Sequence, residues 1–256
     1  MAESEDTLSK YRAPALEKGL DVLELLAARG EPMGMVQIAG ALNRSVSELF
    51  RMVQVLQHRG YITDTPSGDG LVLTDKLFSL GMAQAPTKTV LEIALPVMRR
   101  LSDTIGQSCH LAVASAAQMV VVARVEAPGN QGFSVRVGYH RAIVEATSGL
   151  VLYAFQPEPV REEWRARLEP TVSPAAWAAF EARARKARAD QHVLAPSDVT
   201  RLVVDLSAPI LGPDGVAAAL TSPYVETPTA ISVPDTIAAI KAAADEISIE
   251  LGGSSQ

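Results

Sequence analysis

The chain has 256 residues, of which 48% are apolar, 20% charged and only 5% aromatic, with a formal net charge of −6. Against a prior of about 150 residues per domain this is one large domain or two modest ones, with enough apolar material to exclude extended disorder. The acidic balance excludes broad, non-specific coating of nucleic acid, though not a small reading module whose positive charge is confined to one face. No apolar run reaches the ~18 residues of a membrane helix. The acidic start MAESEDTLSK lacks the character of a signal peptide, so the cytoplasm is the expected compartment. A single cysteine, Cys109, excludes an internal disulfide and a Cys-rich zinc site.

Residues 1–12 are polar and read as a flexible arm. From Pro14 the spacing predicts a helix with Leu16, Leu20, Leu23 and Ala27 on its buried stripe, reinforced by Val22 and Leu26, and ended by Arg29-Gly30. A short helix fits Met35–Leu42, with Asn43 at the turn in the left-handed region. Ser45-Val46-Ser47-Glu48 fits a capping box, Ser45 capping the helix and Glu48 reaching back to the cap amide. Val46, Leu49/Phe50, Val53 and Leu56 then recur at helical spacing up to Gly60. Tyr61–Thr63 and Leu71–Thr74 flank a Gly/Pro/Asp loop and predict a hairpin. Three helices followed by a hairpin is the order of a winged helix-turn-helix, expected over 13–75, with a linker helix and joint over 76–87 ending in Ala85-Pro86-Thr87.

Residues 88–256 read as a second, α+β domain with a mainly antiparallel sheet. Its expected elements are a helix over Thr89–Ile105, kinked or split at Pro96, and strands at Cys109–Ser115, Gln118–Glu126 and Phe133–Val137. Helices follow at Val144–Phe155, Pro159–Leu168 and Pro174–Ala189, then strands at Arg201–Leu211 and Val216–Tyr224 around a Gly-Pro-Asp-Gly turn. A helix over Pro234–Leu251 closes the chain, with Ile237, Ile240 and Ile247 on or near its buried face.

The run Ala15–Leu26 resembles the opening helix of the isocitrate lyase regulator (IclR) family of bacterial transcription factors, and Ser47–Ile62 resembles its recognition helix and the entry to its wing. Ala146-Thr147-Ser148-Gly149, Leu206-Ser207-Ala208-Pro209-Ile210 and Ala217-Ala218-Ala219-Leu220 are similar to successive blocks of its effector-binding domain. The order holds from about residue 13 to 251. The resemblance implies a repressor or activator that is not an enzyme. It also implies a homodimer or dimer of dimers, and a GAF-like second domain that takes a small organic ligand beside its sheet. By resemblance Thr147, Ser148, Val203, Asp205, Ala219 and Thr221 line that pocket. The sequence departs from the family where Asn43 replaces a glycine, Glu48 a threonine, and Asp205 a residue that is often small or cysteine.

On the third helix Ser47, Arg51, Gln54 and His58 fall on one face, opposite Leu49, Val53 and Leu56. Arginine reads guanine and glutamine reads adenine in the major groove, so Arg51 and Gln54 are the candidate base readers. Ser47 in the first turn suits phosphate or base contact, the cap residue Ser45 is a further DNA-contact candidate, and Arg44 and Arg59 flank the helix for phosphates that set register. A solvated helix face would show the same stripe; the short helix before it, the hairpin after it and the family resemblance favour DNA. Thr65 and Ser67 of the wing are candidate backbone contacts, or simply members of a hairpin turn. Over residues 13–83 there are six Lys/Arg against eight Asp/Glu, so one module would bind weakly and two half-sites of a palindromic operator are expected.

For the ligand, Thr147-Ser148-Gly149 opens a helix whose free amides favour a carboxylate, although a Thr-Ser pair there also serves as a plain cap. Arg141 could pair with an acid or lie on the surface. Asp205 interrupts an apolar strand and calls for a hydroxyl or amine on the ligand besides its acid, unless it faces water. The rival class is an enzyme with Cys109 as nucleophile and His110 as base, disfavoured because adjacent strand residues point to opposite faces. His110, His140 and His192 lack metal-ligand spacing, and no cofactor is expected.

Overall fold

The computed structural model describes residues 13–82, 85–128, 132–197, 200–227 and 230–253; the expected arm, 1–12, lies outside them. The chain divides into two compact units between residues 84 and 85. Helix α1 (Pro14–Arg29) has proline in its first turn, where a missing N–H costs nothing, and stops at Gly30 (φ 67°), whose amide donates to the Leu26 carbonyl. Helix α2 (Met35–Ala41) is followed by Asn43 at φ 52°, as its turn chemistry predicts. Helix α3 (Val46–His58) is capped by Ser45, and Gly60 (φ 72°) turns the chain into a hairpin of β1 (Ile62–Asp64) and β2 (Leu71–Leu73). Met33 forms an antiparallel bridge with Leu71, and the backbone passes so close to Gly70 that a Cβ there would meet the Met33 carbonyl carbon at 2.7 Å. Helix α4 (Lys76–Met82) follows in the same unit; residues 83 and 84 of the expected linker lie outside the described ones.

The core of this unit joins Val22, Leu23 and Leu26 to Ile38, Leu49, Val53, Ile62 and Leu71. This corrects the expected stripe on α1: Leu16 and Leu20 are 62% and 47% exposed, and Ala27 is exposed too. Both leucine stripes have helical spacing, and burial goes to the one against which α3 and β2 pack.

Helix α5 (Ala85–Ile105) opens the second unit and runs unbroken through Pro96. The expected joint is therefore helical, with Pro86 in a first turn that tolerates it. Strands β3 (Cys109–Ser115) and β4 (Gln118–Val125) are joined by Ala116 and Ala117, both at positive φ. Phe133–Val137 is not a strand. The chain joins β4 at Gly138 (φ 85°), whose amide donates to the Val121 carbonyl, and continues along it as the short edge strand β5 (His140–Ala142). The expected helix from Val144 is interrupted: a 3₁₀ turn (Ile143–Glu145) leads to an extended Ala146, and α6 spans Thr147–Ala154. Helices α7 (Glu158–Leu168) and α8 (Pro174–Asp190) precede β6 (Val193–Pro196), an edge strand not anticipated from a short segment ending in proline. Strands β7 (Val204–Gly212) and β8 (Gly215–Tyr224) form a long hairpin, and α9 (Val233–Glu250) ends the described fold, with Ile240 and Ile247 buried.

The sheet order is β5-β4-β3-β8-β7-β6, and every pairing among the described residues is antiparallel. Helices α5 and α9 pack on each other, α5 against β3, β4 and β8, and α9 against β7 and β8. On the opposite face lies α6, all eight of whose residues are buried, between the sheet and α8. Tyr153, Trp177 and Phe180 lock α6 to α8, with ring centroids 5.0–5.9 Å apart. No helix among the described residues is long and apolar enough to cross a membrane.

Candidate nucleic-acid interface and candidate ligand cavity

Burial of Leu49 and Val53 turns Ser47, Arg51, Gln54 and His58 outward together, and all four are exposed. Ser45 Oγ accepts the Glu48 amide at 3.2 Å. The other half of the expected capping box is replaced: the Glu48 carboxylate takes Lys18 Nζ at 2.7 Å and Arg44 Nη1 at 3.3 Å. The Lys18 hydrogen bond, more than any other contact, holds the Glu48 pKa below the ordinary carboxylate value. Arg44 is thus engaged by an acid one turn away, while Arg59 remains exposed at the end of α3, its carbonyl accepting from Lys76 Nζ. Gln54 donates to Gln57 (3.1 Å) and Gln57 to Asp64 Oδ2 (2.9 Å), an amide chain from the helix face to the hairpin. In the wing, Thr65 Oγ1 accepts the Asp69 amide (2.9 Å) and the Ser67 hydroxyl (3.4 Å). Both wing hydroxyls therefore hold the turn itself.

Phe50 shares the apolar spacing of Leu49 in the sequence, yet it stands 52% exposed beside Arg51 and Gln54. The helical wheel alone would have shown it on the flank of the polar stripe.

In the second unit a cavity of about 30 Å³ opens at the start of α6. Of the candidate ligand residues, Arg141, Thr147, Ser148, Asp205 and Thr221 line it; Gly149, Val203 and Ala219 do not. Gly149 is a packing residue: a Cβ there would sit 2.3 Å from the Ile143 carbonyl oxygen, so the 3₁₀ turn can cross α6 only over glycine. Ala219 belongs to the core under α6, two residues along the strand from Thr221, and Val203 is buried just before β7. His110, Met119, Val135, Tyr139, Ala146 and Ser197 complete the lining and were not anticipated as ligand residues.

The polar chemistry concentrates here. His110 Nδ1 and Thr147 Oγ1 are buried without a hydrogen-bond partner, a condition shared by only two other side-chain atoms among the described residues. Such a group costs about 1–3 kcal/mol unless something satisfies it. Burial lowers the His110 pKa to about 4, so its imidazole is neutral at pH 7. The N-cap of α6 is Ala146, which supplies no side-chain acceptor, and the first-turn amides with the positive end of the helix lie beside the cavity. Thr221 shares its hydroxyl with Ser207 at 2.7 Å, and Arg141 pairs with Glu145 at 3.4 Å.

A larger, open depression of about 760 Å³ lies around the other end of α6, lined by Phe155, Arg188 and the β7–β8 turn. Its arginine already donates to the carbonyls of Ala154 and Gln156, and the helix presents its negative end there, so volume is outweighed by chemistry.

Cys109 and His110 point to opposite faces of β3. The thiol contacts the Met98 carbonyl on the α5 side, and burial pushes its pKa up to about 12. It has neither the base nor the thiolate character of a nucleophile. Among the described residues no group of three or more His, Cys, Asp or Glu is placed to hold a metal ion.

Two family descriptions match this sequence: the IclR helix-turn-helix domain over residues 15–66, and the bacterial transcriptional regulator IclR C-terminal domain over residues 83–249. The HTH-type transcriptional repressor AllR of Salmonella typhi is 27% identical over 124 residues, 48% of this chain and 45% of the relative. The DNA-binding transcriptional repressor YiaJ of Escherichia coli (strain K12) is 24% identical over 154 residues, 59% of this chain and 54% of the relative. The chain spans about half the length of the curated relatives it matches. An IclR homolog of Microbacterium hydrocarbonoxydans complexed with 4-hydroxybenzoate superposes with a TM-score of 0.76 at 22% identity, covering 94% of this chain and 100% of that one. Pseudomonas aeruginosa HmgR superposes with a TM-score of 0.74 at 24% identity, again covering 94% and 100%. At these identities the structural likeness is one of fold.

Proposed function

Because the chain belongs to the IclR family of bacterial transcriptional regulators, we propose that it binds double-stranded DNA through α3 and its wing, under control of a small organic acid bound at the start of α6. The observation that carries the DNA half is the joint exposure of Ser47, Arg51, Gln54 and His58 on a helix whose other face is core. In this reading Arg51 and Gln54 contact base edges, while Arg59 and, once released from Glu48, Arg44 contact phosphates. Ser45, Thr65 and Ser67 shape the interface rather than read it.

The ligand half rests on the unpartnered His110 Nδ1 and Thr147 Oγ1 beside the amides of α6. The amides and Arg141 suit a carboxylate, and the neutral His110 with Thr147 and Asp205 suits a hydroxyl. A hydroxy acid, such as the 4-hydroxybenzoate held by the Microbacterium homolog, combines both. A cavity of about 30 Å³ holds water-sized guests, whereas pockets for organic ligands run to roughly 300 Å³ or more, so binding widens it. The cavity in this reading binds and does not transform.

With more acidic than basic residues over 13–83, one module would hold DNA weakly, which calls for a homodimer or dimer of dimers on a palindromic operator in the cytoplasm. Leu77 and Leu80 of α4, and Leu16 and Leu20 of α1, are exposed in the single chain and suit such an interface. The test is a titration of DNA from upstream of the chain's own gene, with and without 4-hydroxybenzoate and related acids. Saturable binding far tighter than to random DNA, altered by at least one acid, is expected. Equal affinity for random DNA would overturn the DNA reading, and indifference to every acid would overturn the ligand reading.

A further inference from the structure

We propose that Phe50 reads the 5-methyl group of a thymine in the major groove, and so sets base preference alongside Arg51 and Gln54. The inference rests on the DNA-binding reading above and goes beyond it. Phe50 is half exposed, takes no part in the core of its unit, and lies one residue before Arg51 and four before Gln54. Phe50 and Gln54, four residues apart, are neighbours on the helix surface, and Arg51 is the neighbour of Gln54 on its other side, so a groove that admits Arg51 and Gln54 meets the phenyl ring at its flank. An isolated apolar residue on a protein surface needs no explanation by itself. This one sits where polar side chains would otherwise meet base edges, and of the four bases only thymine offers an apolar group there, its methyl, which phenylalanine contacts.

Gln54 sharpens the expectation. Glutamine pairs with the N6 and N7 atoms of adenine, and its side chain lies one helical turn from Phe50. The half-site should therefore contain an A·T-rich step in which one base pair is read by Gln54 and a thymine close to it by Phe50. A bulky polar reader at position 50 would demand a hydrogen-bonding partner; a phenyl ring demands only a methyl and the exclusion of water. The preference is accordingly modest, on the order of fourfold for one buried methyl group.

The experiment uses the full chain. Binding sites are selected from a random double-stranded pool, and the recovered site is remade with each thymine replaced in turn by deoxyuridine, which pairs identically but lacks the methyl. The unaltered protein should lose about fourfold in affinity at one thymine per half-site. Phe50→Ala should bind the thymine and deoxyuridine versions equally, and Phe50→Leu should retain part of the difference. If no thymine position responds in the unaltered protein, or if Phe50→Ala keeps the full difference, the proposal is overturned while the DNA-binding reading stands. Recovery of no site from the pool overturns both. The scan on the unaltered protein decides the matter even if a variant proves unstable.

Discussion

Gln54 and His110 are both polar side chains in candidate functional regions, but one stands exposed on α3 and the other is enclosed beneath α6. At the surface, polar groups rest in shallow arrangements: Gln54 on Gln57, Arg44 on Glu48, each readily exchanged for a phosphate or a base edge. In the cavity, His110 Nδ1 and Thr147 Oγ1 are buried and meet no protein partner, so only a guest in the cavity can satisfy them. Loss of a partner is therefore nearly neutral in one place and costly in the other. A reading surface can be built on a stable helix without sacrificing stability. The polar cavity instead leaves buried groups that only a guest can satisfy.

This contrast implies that substitutions in the two regions move stability and binding independently. The largest effect should come from Gly149→Val, which drives a side chain into the Ile143 backbone and costs about 3 kcal/mol in thermal or denaturant unfolding. Unchanged stability would mean that the 3₁₀ turn is free to move away from α6. His110 should be nearly as visible through pH. Its folded pKa lies near 4, below the ordinary 6.5, so the unfolded chain binds the extra proton first. Stability should fall as pH drops from about 6.5 towards 4, by about 3 kcal/mol relative to His110→Gln, and level off below. Parallel pH profiles for the two proteins would show that His110 is not enclosed.

On the surface side, Arg51→Ala should cost about 1–3 kcal/mol of specific DNA affinity and leave unfolding within about 0.5 kcal/mol of the parent. Equal losses on operator and random DNA would make Arg51 a phosphate contact. The smallest effect is the most discriminating. Thr147→Val removes an unpaired hydroxyl at nearly constant volume, so the ligand-free protein should gain about 1 kcal/mol of stability while its response to acid weakens. A destabilised variant would show that water or a neighbour already satisfies that hydroxyl.

The residues themselves explain how far the sequence could be read. Local chemistry was legible wherever a few adjacent residues decide the outcome. Ser45 caps α3, Gly30 and Asn43 turn the chain at positive φ, and the β3–β4 and β7–β8 hairpins follow from short turns between β-rich runs. The polar stripe of α3 was legible for the same reason, since helical periodicity alone places Ser47, Arg51, Gln54 and His58 together.

Other features depend on what lies opposite. Two leucine stripes on α1 have equal periodicity, and the partners across the core bury one and expose the other. Glu48 has the spacing of a capping box, yet Lys18, thirty residues earlier and brought near by the packing of α1 on α3, takes its carboxylate. The edge strands β5 and β6 exist because β4 and β7 offer unpaired edges, not because their own residues demand extended structure. His110 shows the division most clearly. Strand alternation in the sequence places it opposite Cys109, but only the meeting of β3, β8, β7 and the start of α6 turns that position into the wall of a cavity. Periodicity determines which side chains share a face; which faces are then sealed from water is a non-local decision, made by the hydrophobic gain of packing elements far apart in the chain.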